Sequence, residues 1–187
     1  MNYQLFRKIN NLAGQSPILD VIMVFFTQQI IIIYAIFLLI MWFNGAKRIA
    51  LYTCISGGLA LFINYIIALL YFEPRPFVTH HVHVLVQHAA DASFPSNHTT
   101  GVFALAVAVL LRKNLFGYGM LLLAVVTGVS RVWVGHHYPF DVLASIVVGS
   151  ITSILLYKFT FLMEPFVNFI IRIYEKIVIF LKRRISK

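Results

Sequence analysis

Residues 17–43 read PILDVIMVFFTQQIIIIYAIFLLIMWF, an apolar run that only Asp20 and the pair Gln28-Gln29 interrupt. About 20 apolar residues cross roughly 30 Å of hydrocarbon as a helix, so this run predicts a membrane span. The whole chain has the same character, because 60% of its 187 residues are hydrophobic and only 11% are charged. Soluble domains carry about 25% charged residues. The composition therefore excludes a water-soluble globular protein, a disordered chain and a disulfide scaffold.

Further apolar runs continue the pattern along the chain. They occupy residues 49–72, 99–111, 115–134 and 140–157. They predict an all-α fold, a polytopic membrane helix bundle with five transmembrane helices, or six if residues 1–16 also enter the membrane. The run 99–111 is only about 20 Å long as a helix, so it begins within the membrane or includes residues 94–98. We expect residues 1–187 to form one membrane-embedded domain.

The distribution of basic residues predicts the orientation. Five spans would place the loops alternately on the two sides of the membrane. Eleven of the 15 Lys and Arg residues then lie on the same side as the C-terminal segment. The other four lie on the opposite side, with residues 1–16 and the loops 73–98 and 130–139. Basic loops stay in the cytoplasm, so we expect these two loops to face outward from a cytoplasmic membrane. The basic segment 165–187 fits a helix on an anionic inner leaflet, or a tail that only fixes topology. The net charge of +9 thus indicates membrane lipids rather than nucleic acid as partners.

The two outward loops contain most of the unusual polar residues. The first includes EPRP at 73–76 and FPSNHTT at 94–100, and the second reads SRVWVGHHYPFD at 130–141. Polar groups at membrane depth are costly and usually face a bundle interior or a water-filled cavity. The sequence therefore predicts a polar site at the extracytoplasmic face.

The residue types in these loops suit a phosphate group. Arg75 and Arg131 provide planar, permanently charged forks for phosphate oxygens. Ser96 is placed to cap the short third span, and the free backbone N–H groups around Asn97 and His98 then form an anion site.

A second group suits nucleophilic catalysis. His137 and Asp141 are four residues apart and share a face of the next helix. A carboxylate that holds one imidazole N–H leaves the other nitrogen nucleophilic. His98, from another helix, is placed to protonate a leaving oxygen.

In order and spacing, these blocks resemble the type-2 phosphatidic acid phosphatase family, whose motifs are K-x6-RP, PSGH and SR-x5-H-x3-D. The third motif is complete, from Ser130-Arg131 to His137 and Asp141. The second reads Pro95-Ser96-Asn97-His98, with asparagine in place of glycine.

The first motif departs from the family pattern. It keeps Arg75-Pro76, but Ala68 stands where the family has lysine. The neighbouring polar candidates are Asn64 and Glu73, and a glutamate cannot replace a cation. The catalytic blocks thus lie within residues 64–141.

Within the family, the stretches 72–77 and 89–96 are similar to the bacitracin-resistance undecaprenyl-diphosphate phosphatases. This resemblance implies hydrolysis of a polyprenyl diphosphate lipid at the outer face of a bacterial cytoplasmic membrane, through a phosphohistidine, with no metal and no other cofactor. It implies catalytic roles for His137, His98 and Asp141. The implied phosphate-binding residues are Arg75, Arg131, Ser96, Asn97 and Ser130, and the implied supporting residues are Asn64, Glu73 and His136.

Other interpretations stay open at this point. The same chemistry would serve phosphatidylglycerophosphate or phosphatidic acid, and a carrier would bind a lipid phosphate without hydrolysing it. The loop 73–98, called the outer loop from here on, also contains four histidines. They either bind zinc or copper or, as we favour, belong to a lid over the site. They are His80, His81, His83 and His88. No motif specifies an oligomeric state.

Overall fold

The computed structural model describes residues 1–185, and within them all regular secondary structure is α-helical apart from one isolated bridge between Pro74 and Ala92. The helices are α1 (Asn2–Asn10), α2 (Pro17–Phe43), α3 (Lys47–Leu70), α4 (Pro76–Thr79), α5 (Asn97–Leu111), α6 (Phe116–Trp133), α7 (Pro139–Lys158) and α8 (Thr160–Ile185). Four of them, α2, α3, α6 and α7, are long and apolar enough to cross a membrane. The predicted all-α membrane bundle is therefore confirmed, with four candidate spans.

The short third run is α5, and it lies at the centre of the bundle. Its 15 residues extend about 22 Å, less than the hydrocarbon thickness. It packs against α3, α6 and α7, and its Ala104, Ala106 and Ala108 are fully buried. Because α5 starts only at Asn97, the residues before it remain a loop that reaches into the bundle.

The N-terminal segment is not a sixth span. α1 has nine residues, about 13 Å of helix. Its Phe6 is fully buried in a cluster with Val132 and Tyr138, close to the turn that joins α6 to α7. Residues 1–16 therefore form a cap on that end of the bundle, and of the two span counts that the sequence left open, the structure does not support the one that includes them.

α5 and α7 approach each other very closely at Gly149. A Cβ atom at this position would lie 2.6 Å from the Thr100 carbonyl oxygen and 3.0 Å from the Ala104 nitrogen. Small residues at such crossings let the backbones of membrane helices touch. One turn further on, the Ser153 hydroxyl donates to the Ala104 carbonyl over 2.7 Å. These contacts hold the middle of α7 against residues 100–104 of α5.

α8 runs across the opposite end of the bundle. Arg48, in the first turn of α3, pairs with Glu164 at 2.7 Å, and the Lys47 ammonium lies 4.6 Å above the Tyr174 ring. The same ring contacts Trp42, near the end of α2, at 5.0 Å between centroids. α8 therefore crosses the end where α2 turns into α3. Residues 186 and 187 of the predicted basic segment lie outside the described residues.

Candidate active site

The predicted site residues meet at the end of the bundle where α5 and α7 begin and α6 ends. His98 lies in the first turn of α5, Arg131 in the last turn of α6, and Asp141 in the first turn of α7. His137 lies in the turn that joins α6 to α7, and Arg75 directly precedes α4. Three helix ends and two loops thus converge on one place.

Two hydrogen bonds orient the buried ring of His137. Arg75 Nη1 lies 3.0 Å from its Nε2, and the Ser93 carbonyl oxygen lies 2.8 Å from its Nδ1. A guanidinium N–H can only donate, so Nε2 is the unprotonated acceptor and Nδ1 carries the proton that it donates to Ser93. Burial, and then the charges of Arg131 and Arg75, hold the pKa of His137 well below its ordinary value. The ring is therefore neutral near neutral pH, and Nε2 is its unprotonated nitrogen.

Asp141 supports this arrangement less directly than the sequence predicted. We expected its carboxylate to hold the His137 N–H, but Asp141 Oδ2 is 3.6 Å from Nδ1, and the Ser93 carbonyl makes that bond instead. The physical reason is that Oδ2 already accepts from the Tyr138 backbone N–H at 2.8 Å, as part of the cap of α7, and from the Ser93 hydroxyl at 2.5 Å. Asp141 thus contributes a buried negative charge beside the ring. Sequence reasoning did not identify Ser93 as a site residue, because it belongs to none of the three motifs. The one signal in the sequence is its position just before Pro95-Ser96-Asn97-His98.

The two arginines of the site differ in how far protein groups use their donors. Arg131 is buried, and neither its Nε nor its Nη2 has a hydrogen-bond partner among the described residues. Arg75 donates from Nε to Asp91 at 2.7 Å and from Nη1 to the His136 carbonyl at 3.0 Å. A buried guanidinium without partners is costly unless an anion pairs with it. The arrangement therefore has the chemistry of an anion site facing His137.

The start of α5 is fixed by a polar network. Ser96 caps the helix as predicted, because its oxygen accepts from the Thr99 backbone N–H at 3.5 Å and from the Thr99 hydroxyl at 3.1 Å. Asn64 donates to the Pro95 carbonyl at 3.0 Å and to Asn97 Oδ1 at 2.7 Å. The Asn97 side chain therefore points to α3, and Asn64 orients the loop that leads to His98 rather than replacing a cation.

Ser130 is not where the resemblance implied. Its hydroxyl donates to the Thr127 carbonyl at 2.8 Å and accepts from the Thr27 hydroxyl at 3.0 Å. The bond with Thr27 joins α6 to α2 inside the bundle. The predicted phosphate contact from Ser130 is therefore corrected to a contact between helices, and its partner Thr27 lies 103 residues away in the sequence.

Glu73 and His136 lie beside the site in different ways. The backbone carbonyl of Glu73 accepts from the Ser93 N–H at 2.7 Å. Burial raises the pKa of the Glu73 side-chain carboxyl. His136 is buried, and its Nε2 lies 2.6 Å from the Val86 carbonyl oxygen. Burial, followed by the charge of Arg131, lowers the pKa of His136 to about 3. His136 therefore holds the outer loop as a neutral donor.

The outer loop is attached to α1, which is in turn bonded to the end of α6. Asn10 of α1 donates to the carbonyls of His83 and Trp133, at 2.8 and 2.9 Å, and accepts from the His83 N–H at 2.9 Å. The His80 ring stacks on Tyr3 with 3.8 Å between centroids. Within residues 1–185, no three His, Cys, Asp or Glu side chains are grouped so as to hold a metal ion. In the part of the chain that the structure describes, the four loop histidines are therefore not grouped around one zinc or copper position, and a role of the loop as a lid stays a prediction.

An apolar cavity of about 320 Å³ adjoins His98. α2 lines it with Ile31 and Tyr34, α3 with Leu61 and α5 with Leu105. His98, in the first turn of α5, also lines it and is half-buried. The polar site thus continues directly into a space that suits a hydrocarbon chain.

Residues 49–163 match the PAP2 superfamily. The chain is 49% identical over 181 residues to "Undecaprenyl-diphosphatase BcrC" of Bacillus subtilis (strain 168), covering 95% of this chain and 94% of that protein. It is 30% identical over 184 residues to "Bacitracin transport permease protein BcrC" of Bacillus licheniformis, covering 95% and 89%.

A solved structure has the same fold. It is described as the "first transmembrane PAP2 type phosphatidylglycerolphosphate phosphatase from Bacillus subtilis". The two structures superpose with a TM-score of 0.68 and are 21% identical, over 85% of this chain and 84% of that one. The motifs, the convergence of their side chains and these similarities confirm the resemblance seen in the sequence. The chain is a multi-pass membrane protein with four candidate spans, and it belongs to the PAP2 superfamily.

Proposed function

We propose that this protein is a metal-independent undecaprenyl-diphosphate phosphatase, which releases the terminal phosphate and returns undecaprenyl phosphate for wall-lipid recycling, with bacitracin resistance as a consequence. The name of the relative at 49% identity supports this assignment. The observation that carries it is the orientation of His137, whose unprotonated Nε2 lies against Arg75, together with the buried Arg131, two of whose donor nitrogens have no partner within residues 1–185.

The first chemical step uses this geometry. The terminal phosphate binds between Arg75 and Arg131, and Arg75 Nη1 turns from Nε2 to a phosphate oxygen. The Nε2 lone pair of His137 then forms a bond to phosphorus while the bridging P–O bond breaks. Positive charge develops on the imidazole, and the buried carboxylate of Asp141, 3.6 Å away, stabilises it. Positioning and charge stabilisation are what phosphoryl transfer mainly needs.

His98 handles the protons of both steps. In the substrate complex the negative charge of the diphosphate favours protonated His98, which gives its proton to the departing oxygen of undecaprenyl phosphate. It then takes a proton from a water molecule whose oxygen attacks phosphorus, and the N–P electron pair returns to His137 Nε2. Phosphate leaves, and the resting protonation state is restored. This sequence requires no cofactor.

The apolar cavity beside His98 suits the first part of the polyprenyl chain. We place the site at the extracytoplasmic face of a bacterial cytoplasmic membrane, with α5 as a fifth, shortened span and residues 1–187 acting as one domain. The basic residues at the α8 end support this orientation. α8 then lies along the inner leaflet, with exposed Phe166, Phe169 and Ile173 toward lipid.

Phosphate release from undecaprenyl diphosphate tests the proposal directly. The purified protein, in detergent with excess chelator, is expected to release phosphate, and His137→Ala is expected to release none. His98→Ala is expected to be less impaired than His137→Ala, because a lipid monophosphate is already a good leaving group.

The competing functions give different results. Faster release from phosphatidylglycerophosphate or phosphatidic acid would reassign the substrate. No release from any lipid phosphate, together with retained binding, would identify a carrier. Activity that the chelator abolishes would contradict the metal-independent mechanism.

A further inference from the structure

The outer loop brings an additional basic side chain to the phosphate site. The His88 ring lies 4.8 Å from the His136 ring, between centroids. Its Nδ1 is 3.7 Å from Asp91 Oδ1, the same oxygen that accepts from Arg75. His88 thus lies beside the Asp91–Arg75 pair, at the place where the loop meets the site.

The hydrogen bonds of His88 leave one nitrogen free for a ligand. Nδ1 lies 3.1 Å from the Ala89 carbonyl oxygen, so this nitrogen carries a proton. Nε2 has no protein partner among the described residues. If the ring is protonated, its Nε2–H becomes a charged donor with no other use.

The surrounding charges decide when that protonation occurs. Arg75, Arg131 and His136 face the ring from other elements, the charge on His88 also acts on His98, and Asp91 lies on its own loop. Burial and the two arginines lower the pKa of His88, whereas Asp91 acts in the opposite direction. A bound phosphate adds negative charge in the same place, which favours the imidazolium.

We propose that His88 is a third, titratable cation of the phosphate site, which takes up a proton when the diphosphate binds and donates from Nε2 to a phosphate oxygen. The inference rests on the proposed function, because it concerns the anion bound at the same site. His88 then contributes to binding the substrate rather than to the chemical step. Since binding takes up a proton, substrate affinity decreases as pH rises.

The test separates KM from kcat across pH. We compare wild type, His88→Gln and His88→Lys between about pH 5 and 8, with His81→Gln, an exposed histidine of the same loop, as the matched control. His88→Gln is expected to raise KM about tenfold at the acidic end, to flatten its pH dependence and to leave kcat unchanged. His88→Lys is expected to keep KM low at the alkaline end, and His81→Gln is expected to follow wild type.

A second measurement needs no turnover. Inorganic phosphate is expected to raise the melting temperature of wild type, and this shift is expected to be smaller for His88→Gln at acidic pH. If wild type hydrolyses no undecaprenyl diphosphate, the proposed function fails while this measurement still tests the cation. A KM profile and a phosphate-induced shift in His88→Gln that equal those of wild type would overturn the inference, as would a loss confined to kcat.

Discussion

Ser93 contacts both members of the His137–Asp141 pair. Its carbonyl accepts from His137, and its hydroxyl donates to Asp141. The loop just before α5 therefore orients a ring and a carboxylate that belong to a distant part of the chain. Ser93 is a positioning residue, since it acts on the reacting atom only through its neighbours.

Replacing Ser93 by alanine removes the hydroxyl and keeps the carbonyl. We expect kcat to fall about tenfold, or about 1.4 kcal/mol in activation free energy, with KM unchanged. Ser93→Cys is expected to be intermediate, because a thiol is a weak donor of similar size. Steady-state kinetics of the three proteins give the order. A rise in KM without a fall in kcat would contradict a role in orienting the nucleophile.

His136 makes the stability of the protein sensitive to acid. Its pKa is lowered to about 3 in the folded protein, so the unfolded protein binds more protons between this value and the ordinary one near 6.5. This contribution to stability is complete above the ordinary pKa and decreases as pH falls toward 3, by up to about 1.4 kcal/mol per pH unit. His137 acts in the same direction.

We therefore expect the melting temperature in detergent to fall between about pH 7 and pH 5. His136→Gln is expected to reduce this dependence, and the exposed His81→Gln to leave it unchanged. Equal pH profiles for wild type and His136→Gln would show that other groups cause the acid sensitivity.

At the scale of helices, the approach of α7 to α5 sets the distance between their functional ends. Gly149→Ala places a Cβ 2.6 Å from the Thr100 carbonyl oxygen and 3.0 Å from the Ala104 nitrogen, and these backbone atoms cannot turn away as a side chain can. We expect the helices to separate, with a lower melting temperature and at least tenfold lower kcat, since small misplacements are costly in catalysis.

Gly119→Ala on α6 is the matched control, because a Cβ there has no neighbour within 4 Å. It is expected to retain activity and to gain slightly in stability from higher helix propensity. Detergent melting curves and phosphate release compare the two variants. Equal behaviour would mean that the α5–α7 contact adapts.

The helices themselves were largely predictable from the sequence. The run 17–43 became α2 with the same bounds, since a lipid-facing helix needs little but apolar side chains. The start of α5 followed from the capping serine, Ser96. By contrast, Ser93 and Ser130 were assigned no role or a wrong one, because their roles depend on partners 48 and 103 residues away. Side-chain partners of this kind come from tertiary packing, which no local pattern contains.

For the whole molecule, the proposed orientation can be tested with single cysteines. Cys54 is the one native cysteine, so Cys54→Ser gives a cysteine-free background. In intact cells, a membrane-impermeant maleimide is expected to label His81→Cys in the outer loop and to leave Asn114→Cys, between α5 and α6, unlabelled until the cells are permeabilised. The reverse pattern would place the site on the cytoplasmic side.

The apolar cavity beside His98 has a consequence for kinetics. A substrate whose hydrocarbon chain must enter between α2, α3 and α5 reaches His98 from within the bilayer or micelle, not from water. The relevant concentration is then the mole fraction of substrate in the amphiphile phase. Adding detergent at constant total substrate dilutes that surface and slows the reaction, although the molarity in the tube has not changed. Rates obtained in different micelles can therefore be compared only when the substrate concentration is expressed as its mole fraction in the micelle.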